Sequence, residues 1–323
     1  MRITSHAAVL LLSFIAMQSA WSQTGSYPDR PIRMIAPASA GGPTDVIARA
    51  VSSPLSEILG RQIVIDNRAG AAGLIGTDIV AKATPDGYTL LFGFSGPMSI
   101  VPHIVKSIPY DPVNDFAHVS LVASAPYVLI ANPALQVKSV RELIDLAKSQ
   151  PGKLNFASGG NGTGIHMAGE LLNHAAGLRI VHVPYKGAGP GMSALIAGEV
   201  NIMFNGLSSA LPHIKANRLR ALAVGGDKRS SLLPDLPTVA ESGLKFNVDG
   251  WYNLSAPKGT PRPIIAKLHQ DLVRALGNPE TKARLDALAV EPIGSRGDEF
   301  VTMLKAELAK WEQVVRVAGI KAQ

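Results

Sequence analysis

The stretch "APASAGGPTD" carries few side chains at the point where an apolar run gives way to a helical pattern. Gly41 and Gly42 have no Cβ, so a ligand could approach the backbone closely there. The first amides of a helix lack backbone partners and lie at the positive end of the helix dipole, so they attract anions. Ser39 and Thr44 add hydroxyl groups, whereas Asp45 is expected to cap or orient the loop amides. Taken alone, this loop fits a tight strand-to-helix turn slightly better than an anion site.

A second loop of the same kind, "SGGNGTGIH", changes that balance. Ser158, Asn161 and Thr163 stand among four glycines, including Gly160 and Gly164, directly before another helical pattern. Two such loops that face each other would fit a ligand with two anionic ends, or a single anion held between two lobes. Together the two loops favour anion binding over simple turns.

Three further positions are candidate ligand contacts. Ser95 lies in the turn "SGP" after the apolar run "LLFGF", and Tyr185 and Lys186 lie in "PYKGAGPG". Lys186 would serve equally well as a ligand contact or as a solvated loop lysine. Trp251 and Tyr252 lie where the chain is predicted to return to the first lobe, so we expect them to pack at the hinge rather than stack on a ligand.

His166, Glu170 and His182 offer a different chemistry. His166 and Glu170 are four residues apart, so they share one face of a helix and could hold a metal ion. No H-E-x-x-H motif or clear third ligand accompanies them, so an ordinary helix pair is favoured. His182 lies in a strand pattern and is predicted to be a packed residue rather than a base.

Motifs for catalysis and for cofactor binding are missing from the sequence. The chain has no cysteine, which excludes thiol catalysis and cysteine metal sites. It contains no G-x-x-x-x-G-K-[ST] or G-x-S-x-G segment, and its glycine runs give no G-x-G-x-x-G followed by a suitable acid. We therefore expect a protein that binds without catalysis, with no cofactor and no metal.

The elements that position the two loops repeat along the chain. The order strand, glycine loop, helix, strand, glycine loop runs from "IRMIAP" through "QIVIDN" to "RAGAAG", followed by a helix at about 74–83 and the strand "YTLLFG". It recurs from "GKLNFASGG" to "PYKGAGPG". Such alternation predicts an α/β fold with mostly parallel, mixed sheets flanked by helices.

Two long apolar passages, "FAHVSLVASAPYVLIANP" and "VDGWYNLSAPKG", connect the halves. They predict two lobes joined by two crossovers. The first lobe would comprise residues 27–122 plus 250–323, and the second residues 123–249. A capping box at Ser139 to Glu142 opens a helix, and three helices close the chain. The last helix is predicted to place one apolar face inward, formed by Phe300, Leu304, Leu308, Trp311 and Val315.

The N-terminus predicts export. Arg2 precedes an apolar run that is too short to span a bilayer, and "AWS" offers a cleavage site, so residues 1–22 match a secretory signal peptide. No cysteine follows that run, so a soluble exported protein is expected rather than a lipoprotein. The net charge of +7 is scattered rather than clustered, which argues against nucleic acid as a partner.

Several motifs together resemble the Bug family, the periplasmic solute receptors of tripartite tricarboxylate transporters. They are "YPDRPIRMIAPASAGGPTDVIAR", "VIDNRAGAAGLIGTDIVAKATPDGYTLLFG", "FASGGNGTGIHMAGELL", "VHVPYKGAGP" and "SSALPHIKANRLRALAV". The resemblance implies a periplasmic, monomeric clamshell that holds a small carboxylate between its lobes, partly through ordered waters. It implies membrane permease subunits as partners, with a sensor kinase as the alternative.

The resemblance also assigns ligand-binding positions by motif. These are Ser39, Gly41, Gly42, Thr44 and Asp45 in the first lobe, and Ser158, Gly160, Asn161, Thr163 and Gly164 in the second. Family members commonly read F-D-N where this chain has Phe204, Asn205 and Gly206. Replacement of that acid by Asn205 favours plain carboxylates over amino acids as ligands. Pro54 also departs from the family pattern, and a kink there would leave the anion-binding end of the helix intact.

Overall fold

The computed structural model describes residues 27–317, so the predicted signal peptide at residues 1–22 lies outside the described residues. The strands of the described part are β1 (Ile32–Ala36), β2 (Ile63–Asn67), β3 (Thr89–Phe94), β4 (Phe116–Ala131), β5 (Asn155–Ser158), β6 (Val181–Pro184), β7 (Ile202–Gly206), β8 (Arg220–Val224), β9 (Asp249–Pro257) and β10 (Glu291–Pro292). The α-helices are α1 (Pro43–Leu59), α2 (Leu74–Ala81), α3 (Val140–Ser149), α4 (Gly164–Ala176), α5 (Ala188–Ala197), α6 (Leu207–Lys215), α7 (Arg262–Gly277), α8 (Pro279–Asp286) and α9 (Gly297–Val317). The predicted strand–helix alternation is confirmed in both halves.

The strands form one mixed sheet in the order β2-β1-β3-β9-β4-β7-β5-β6, with β8 and β10 pairing with β4 off this path. β1 is parallel to β2 and β3 at one end, and β5 is parallel to β6 and β7 at the other. The pairings of β4 and β9 in the middle are antiparallel. The carboxyl ends of the parallel strands lead into the glycine loops, where ligands bind in open α/β sheets.

β4 connects the two halves because it pairs with different strands along its length. Its first part, Phe116–Pro126, pairs with β9, and its last part, Tyr127–Ala131, pairs with β7. The second crossing lies at the start of β9, where Val248 donates its N–H to Gly225 and Asp249 pairs with Pro126. The lobe boundaries at 122/123 and 249/250 stay predictions.

Each half has its own apolar core. In the first half, α1 and α7 cover the sheet with buried side chains that include Ile47 and Leu268, packed against Met34 and Phe92. In the second half, α4 and α5 pack on β5 and β7 around Phe156. Burial of these side chains, rather than helix propensity, supplies most of the stability of the flanking helices.

The last helix, α9, packs on both halves with the face that the sequence predicted. Phe300 and Leu304 join the apolar cluster of Trp251 in the first half. Trp311 and Val315 reach the core of the second half. The indole N–H groups of Trp251 and Trp311 both donate to the carboxylate of Glu307, which ties the helix to β9.

The capping box predicted at the start of α3 is present in the structure. Ser139 accepts the N–H of Glu142 at 3.2 Å, and the carboxylate of Glu142 accepts the N–H of Lys138 at 2.7 Å, which caps α3. α1 continues through Pro54 to Leu59. Within residues 27–317, no helix has the length and apolar character needed to cross a membrane.

Replacing Gly169 by alanine should destabilise the fold. A Cβ at Gly169 would overlap the ring of Phe156, whereas one at Gly277 would meet nothing within 4 Å. Overpacking costs about 1–3 kcal/mol. Urea unfolding should therefore show a loss of this size for Gly169→Ala, and no loss for Gly277→Ala, the matched helical control. Equal stability of the two variants would contradict the packing of α4 on β5.

Candidate functional site

A cavity of about 460 Å³ lies between the two halves. Its lining residues come from both halves and from the loops that follow the parallel strands. They are Pro37, Ala38, Pro43, Thr44, Ala69, Gly70, Ala71, Ala72, Gly73, Leu74, Phe94, Val105, Tyr127, Gly159, Gly160, Asn161, Thr163, Gly164, Ile165, Pro184, Tyr185, Lys186, Gly187, Ala188 and Tyr252. The cavity has the size expected of a site for a small ligand.

Helix N-termini converge on this cavity. Among the described residues, four helices start in its lining: α1 and α2 from the first half, α4 and α5 from the second. α1, α2 and α5 follow Gly42, Gly73 and Gly187, and in the described part of the chain no side chain caps them. Each of these helix ends adds about half a positive charge at the cavity. Pro43 has no N–H, and the N–H groups of Leu74 and Gly189 already donate to Ala71 and Ser39.

Ionised side chains contribute little to the cavity. Among its described lining residues, Lys186 is the only one with an ionised side chain, and it is exposed. Burial raises the pKa of Tyr127 to about 12, so its phenol stays protonated and can donate a hydrogen bond. A Cβ added at Gly164 would lie 2.5 Å from this hydroxyl, which places the phenol at the start of α4. The attraction for an anion therefore comes from neutral dipoles.

The two halves touch each other at the rim of the cavity. Ser39 Oγ accepts the N–H of Gly189 across the cleft at 3.3 Å. A Cβ at Gly187 would overlap the side chain of Ser39, and one at Gly189 would lie 2.6 Å from the carbonyl oxygen of Ala40. Gly187 also has a φ of +116°, a region that other residues rarely adopt. Glycines at both positions therefore allow the halves to close on each other.

Asp45 orients the first loop from behind, as the sequence predicted. Its carboxylate accepts the N–H of Gly41 at 3.0 Å and pairs with the guanidinium of Arg49 at 2.9 Å. Burial by itself would raise the pKa of Asp45. The hydrogen bonds from Arg49 and Gly41 outweigh burial, so the pKa lies below its ordinary value. Asp45 stays ionised and neutralised by Arg49, away from the cavity lining.

Ser158 holds the second loop instead of facing the cavity. Its Oγ accepts the N–H of Gly160 at 3.0 Å and lies 2.6 Å from Nε2 of His182. Burial, reinforced by the neighbouring His166, lowers the pKa of His182 to about 3, so the ring is neutral near pH 7. His182 therefore acts on the loop through Ser158, which agrees with its predicted packed role.

A second histidine holds the same loop two residues further on. Nδ1 of His166 accepts the N–H of Gly162 at 3.1 Å, and burial lowers the pKa of this ring to about 4. Thr163 caps α4: its Oγ accepts the N–H of His166 at 3.2 Å and donates to the carbonyl oxygen of Gly160 at 2.9 Å. The loop is thus fixed by hydrogen bonds at Gly160, Gly162 and Thr163.

His166, Glu170 and His182 bring their ligand atoms within 4.8 Å of one another, so the fold supplies the third candidate metal ligand that the sequence did not reveal. The hydrogen bond from Gly162 to Nδ1 requires the proton of the neutral His166 ring to be on Nε2, the atom that lies 3.7 Å from Glu170. Histidines that bind a metal donate through their second nitrogen instead. Because His166 accepts the hydrogen bond from Gly162 through Nδ1, the contact favours support of the loop over metal binding.

Seven of the predicted ligand contacts line the cavity: Thr44, Gly160, Asn161, Thr163, Gly164, Tyr185 and Lys186. Seven others lie outside the lining: Ser39, Gly41, Gly42, Asp45, Ser95, Ser158 and Asn205. Ser95 is buried beneath Gly164, and Asn205 is buried with its Oδ1 accepting the N–H of Gly206. Contact of any of these residues with a ligand stays a prediction.

Several lining residues were not among the predicted ligand contacts, including the loop 69–74, Tyr127 and Tyr252. The loop 69–74 was recognised as a glycine loop, and its position after β2 was the signal that it joins the same edge of the sheet. Tyr127 lies in β4, and its apolar sequence neighbours give no indication that it lines a cavity. Tyr252 was predicted to pack at the hinge; it stacks on Phe92 at 5.9 Å and also lines the cavity.

Comparison with known proteins identifies relatives over nearly the whole chain. Residues 47–320 match the model of the tripartite tricarboxylate transporter family receptor. BugT of Bordetella pertussis is 39% identical over 301 residues, which cover 92% of this chain and 91% of that protein. The structure of the periplasmic binding protein BugD has 35% identity and a TM-score of 0.89, covering 92% of this chain and 100% of BugD.

Two similar structures contain carboxylates. Rpa4515 of R. palustris with adipate has 34% identity and a TM-score of 0.90, over 92% of this chain and 100% of that one. MatC of Rhodopseudomonas palustris with bound malate has 32% identity and a TM-score of 0.84, over 90% of this chain and 100% of MatC. The two-lobe α/β clamshell expected from the sequence is the fold of these periplasmic binding proteins.

Replacing His166 by leucine should loosen the second loop, because the N–H of Gly162 loses its acceptor. We expect the Gly162 amide to exchange with solvent at least about tenfold faster, and stability to fall by about 1–3 kcal/mol. His166→Gln keeps an acceptor and should restore part of the protection. His174→Leu, an exposed position on the same helix, is the control. Unchanged protection of Gly162 in His166→Leu would refute this role.

Replacing Asp45 by asparagine should cost about 1.5–3 kcal/mol at neutral pH, the range for hydrogen bonds to charged groups. The pKa of Asp45 is lower in the folded state than in the unfolded state. Its stabilisation is therefore complete above the unfolded pKa and is lost as the pH falls through the folded pKa. Denaturant unfolding at pH 7 and pH 3 should show a smaller deficit at pH 3. Asp145→Asn, on an exposed helix face, should show none at either pH.

Proposed function

This chain belongs to the family of tripartite tricarboxylate transporter receptors, and from that premise we propose that it captures a small carboxylate between its lobes and delivers it to a membrane transporter. The observation that carries this proposal is the convergence of four helix N-termini, among the described residues, on one cavity between the halves. Such a site attracts a carboxylate without a buried ion pair. It also allows release, and micromolar affinity corresponds to about −8 kcal/mol.

The relatives support a carboxylate as the ligand. The structures that hold adipate and malate share the fold over nearly the whole chain. In this chain, the loop amide at Gly164, the Thr44 hydroxyl and the Tyr127 phenol are the donors that we assign to the ligand. Asn205 stands where the family pattern has an acid, so we assign plain carboxylates rather than amino acids.

Capture requires the lobes to open and close. We propose that residues 27–122 with 250–323 and residues 123–249 move about the two crossing strands, β4 and β9. Opening breaks the hydrogen bond from Gly189 to Ser39, and a ligand that contacts the loops of both halves restores the closed form. The hydrogen bond between Ser39 and Gly189 thus marks the closed form, and we assign neither residue a contact with the ligand.

Export to the periplasm and delivery to permease subunits complete the proposal. The family and fold are those of periplasmic binding proteins, and the predicted signal peptide would bring the chain there. The closed form presents one joined surface from both lobes, and a membrane partner that recognises only this surface accepts only loaded receptor.

A screen of carboxylates tests the proposed function directly. We expect mono-, di- or tricarboxylates at 100 times their Kd to stabilise the protein by about 2.7 kcal/mol, measured as a thermal shift. Prolonged incubation followed by mass spectrometry should return the acid unaltered. Failure of every carboxylate to stabilise the protein would refute carboxylate binding, and conversion of the acid would show an enzyme instead.

Thr163→Val should weaken carboxylate binding by about 1–3 kcal/mol, because the loop loses the hydroxyl that joins Gly160 to the start of α4. Thr163→Ser keeps that hydroxyl and is the matched control. Calorimetric titration should separate the two variants. Equal affinity of Thr163→Val and Thr163→Ser would remove the Thr163 hydroxyl from the binding site.

A further inference from the structure

We propose that His166, Glu170 and His182 form a regulatory site for Zn²⁺, and that a metal ion bound there releases the second loop, residues 158–164. Metal and carboxylate then exclude each other. This exclusion rests on the proposed function, whereas metal binding itself does not. The cluster is not a resident metal centre, because its two histidines hold the loop, and an incoming ion competes with the loop for them.

The three side chains of the cluster converge from two elements. His166 and Glu170 lie one turn apart on α4, and the ring of His182, from β6, lies 4.1 Å from that of His166. The ligand atoms of all three lie within 4.8 Å of one another. Zn²⁺ binds imidazole nitrogens and carboxylate oxygens at about 2.0–2.2 Å, so two ligands of one ion are at most about 4.4 Å apart. Small movements of the side chains therefore close the cluster around an ion.

The charge of the cluster also favours a cation. The side chain of Glu170 is 27% exposed, and within residues 27–317 its ion-pair partner is His166 rather than a lysine or an arginine. Burial lowers the pKa of both histidines, so their rings are neutral near pH 7, and the neutral ring is the form that binds a metal. A divalent ion would supply the positive charge that the carboxylate lacks.

A metal on His166 is incompatible with the hydrogen bond that holds Gly162. Nδ1 of His166 accepts the N–H of Gly162 at 3.1 Å, so the ring proton is on Nε2. A metal that binds Nε2 takes the place of this proton, and the neutral ring then carries its proton on Nδ1, where it faces the N–H of Gly162 as a second donor. A metal that binds Nδ1 occupies the acceptor itself. The Gly162 amide loses its partner in both cases.

The other histidine holds the same loop at a second point. Nε2 of His182 lies 2.6 Å from Oγ of Ser158, and this oxygen accepts the N–H of Gly160. A metal that binds this nitrogen displaces the Ser158 hydroxyl and weakens the support of Gly160. The contact of Gly162 is lost with either nitrogen of His166, so Gly162 is the position at which release is measured.

Release of the loop affects both the cavity and the contact between the halves. Four residues of the loop line the cavity: Gly160, Asn161, Thr163 and Gly164. Gly162, between them, packs on the first half, because a Cβ there would overlap Ile104. A loop that must be ordered again before it can bind a ligand lowers the affinity. Metal binding therefore opposes capture of the carboxylate.

Titration of the full mature chain with ZnCl₂ at pH 7 tests the metal site without any carboxylate. We expect one Zn²⁺ per chain by native mass spectrometry and shifted ring resonances of both histidines. The Gly162 amide should exchange with solvent at least about tenfold faster, since it loses its hydrogen bond. Mg²⁺, which prefers oxygen ligands, should cause none of these changes. Unchanged ring resonances would overturn the site, and unchanged exchange of Gly162 would overturn the release of the loop.

Glu170→Gln tests the site without disturbing the loop, because it removes a metal ligand and leaves the bonds of both histidines in place. Zn²⁺ should bind this variant at least about tenfold more weakly. At the Zn²⁺ concentration that half-saturates the wild type, its Gly162 amide should stay protected. His174→Leu removes an exposed histidine of the same helix and should respond as the wild type does. Equal Zn²⁺ affinity of Glu170→Gln and the wild type would remove Glu170 from the site.

Calorimetric titration then tests the exclusion, with adipate or the acid that binds best in the carboxylate screen as the probe. Saturating Zn²⁺ should weaken binding of the acid at least about tenfold, and the acid should weaken Zn²⁺ binding by the same factor. Without Zn²⁺, Glu170→Gln should bind the acid as the wild type does. At the Zn²⁺ concentration that half-saturates the wild type, it should lose less affinity, which separates the site from Zn²⁺–acid complexes in solution.

The outcomes separate this inference from the proposed function. Acid binding that Zn²⁺ leaves unchanged would overturn the exclusion and leave a carboxylate receptor. Faster exchange of Gly162 in Zn²⁺, together with no binding of any acid in the screen, would support the metal site and refute the proposed function.

Discussion

The amides at the start of a helix have no partners within the helix, and in this protein that constraint organises the site. The starts of α1, α2, α4 and α5 meet at one cavity, and three of them follow glycines that supply no cap. Buried amide groups need acceptors, and a carboxylate offers two oxygens with several lone pairs. The site is therefore complementary to an anion although its walls carry almost no charge.

The loops that present these amides are held from behind by side chains that do not line the cavity. Asp45 and Arg49 fix the first loop, and Ser158, His182 and His166 fix the second. A loop that is already ordered loses less conformational entropy when it binds a ligand. Under the proposed function, these side chains contribute to affinity by holding the loops in place.

The crossing strands give the two halves a shared backbone, and we propose that the halves bend there. β4 changes partners between Pro126 and Tyr127, and Tyr127 itself lines the cavity. The residue at which the first crossing changes sheets therefore also lies beside the proposed ligand. In the proposed capture of a ligand, this arrangement links occupancy of the cavity to the relative position of the halves.

The sequence by itself determined the order of strands, glycine loops and helices, because side-chain periodicity and the missing Cβ of glycine act over a few residues. It also indicated which loops meet at one edge of the sheet, since parallel strands end on the same side. Only the tertiary structure decided that Ser158 faces His182, that His182 lies beside His166 and that Tyr127 and Tyr252 join the lining. These contacts depend on strand register and on the packing of the halves, which join residues far apart in the chain.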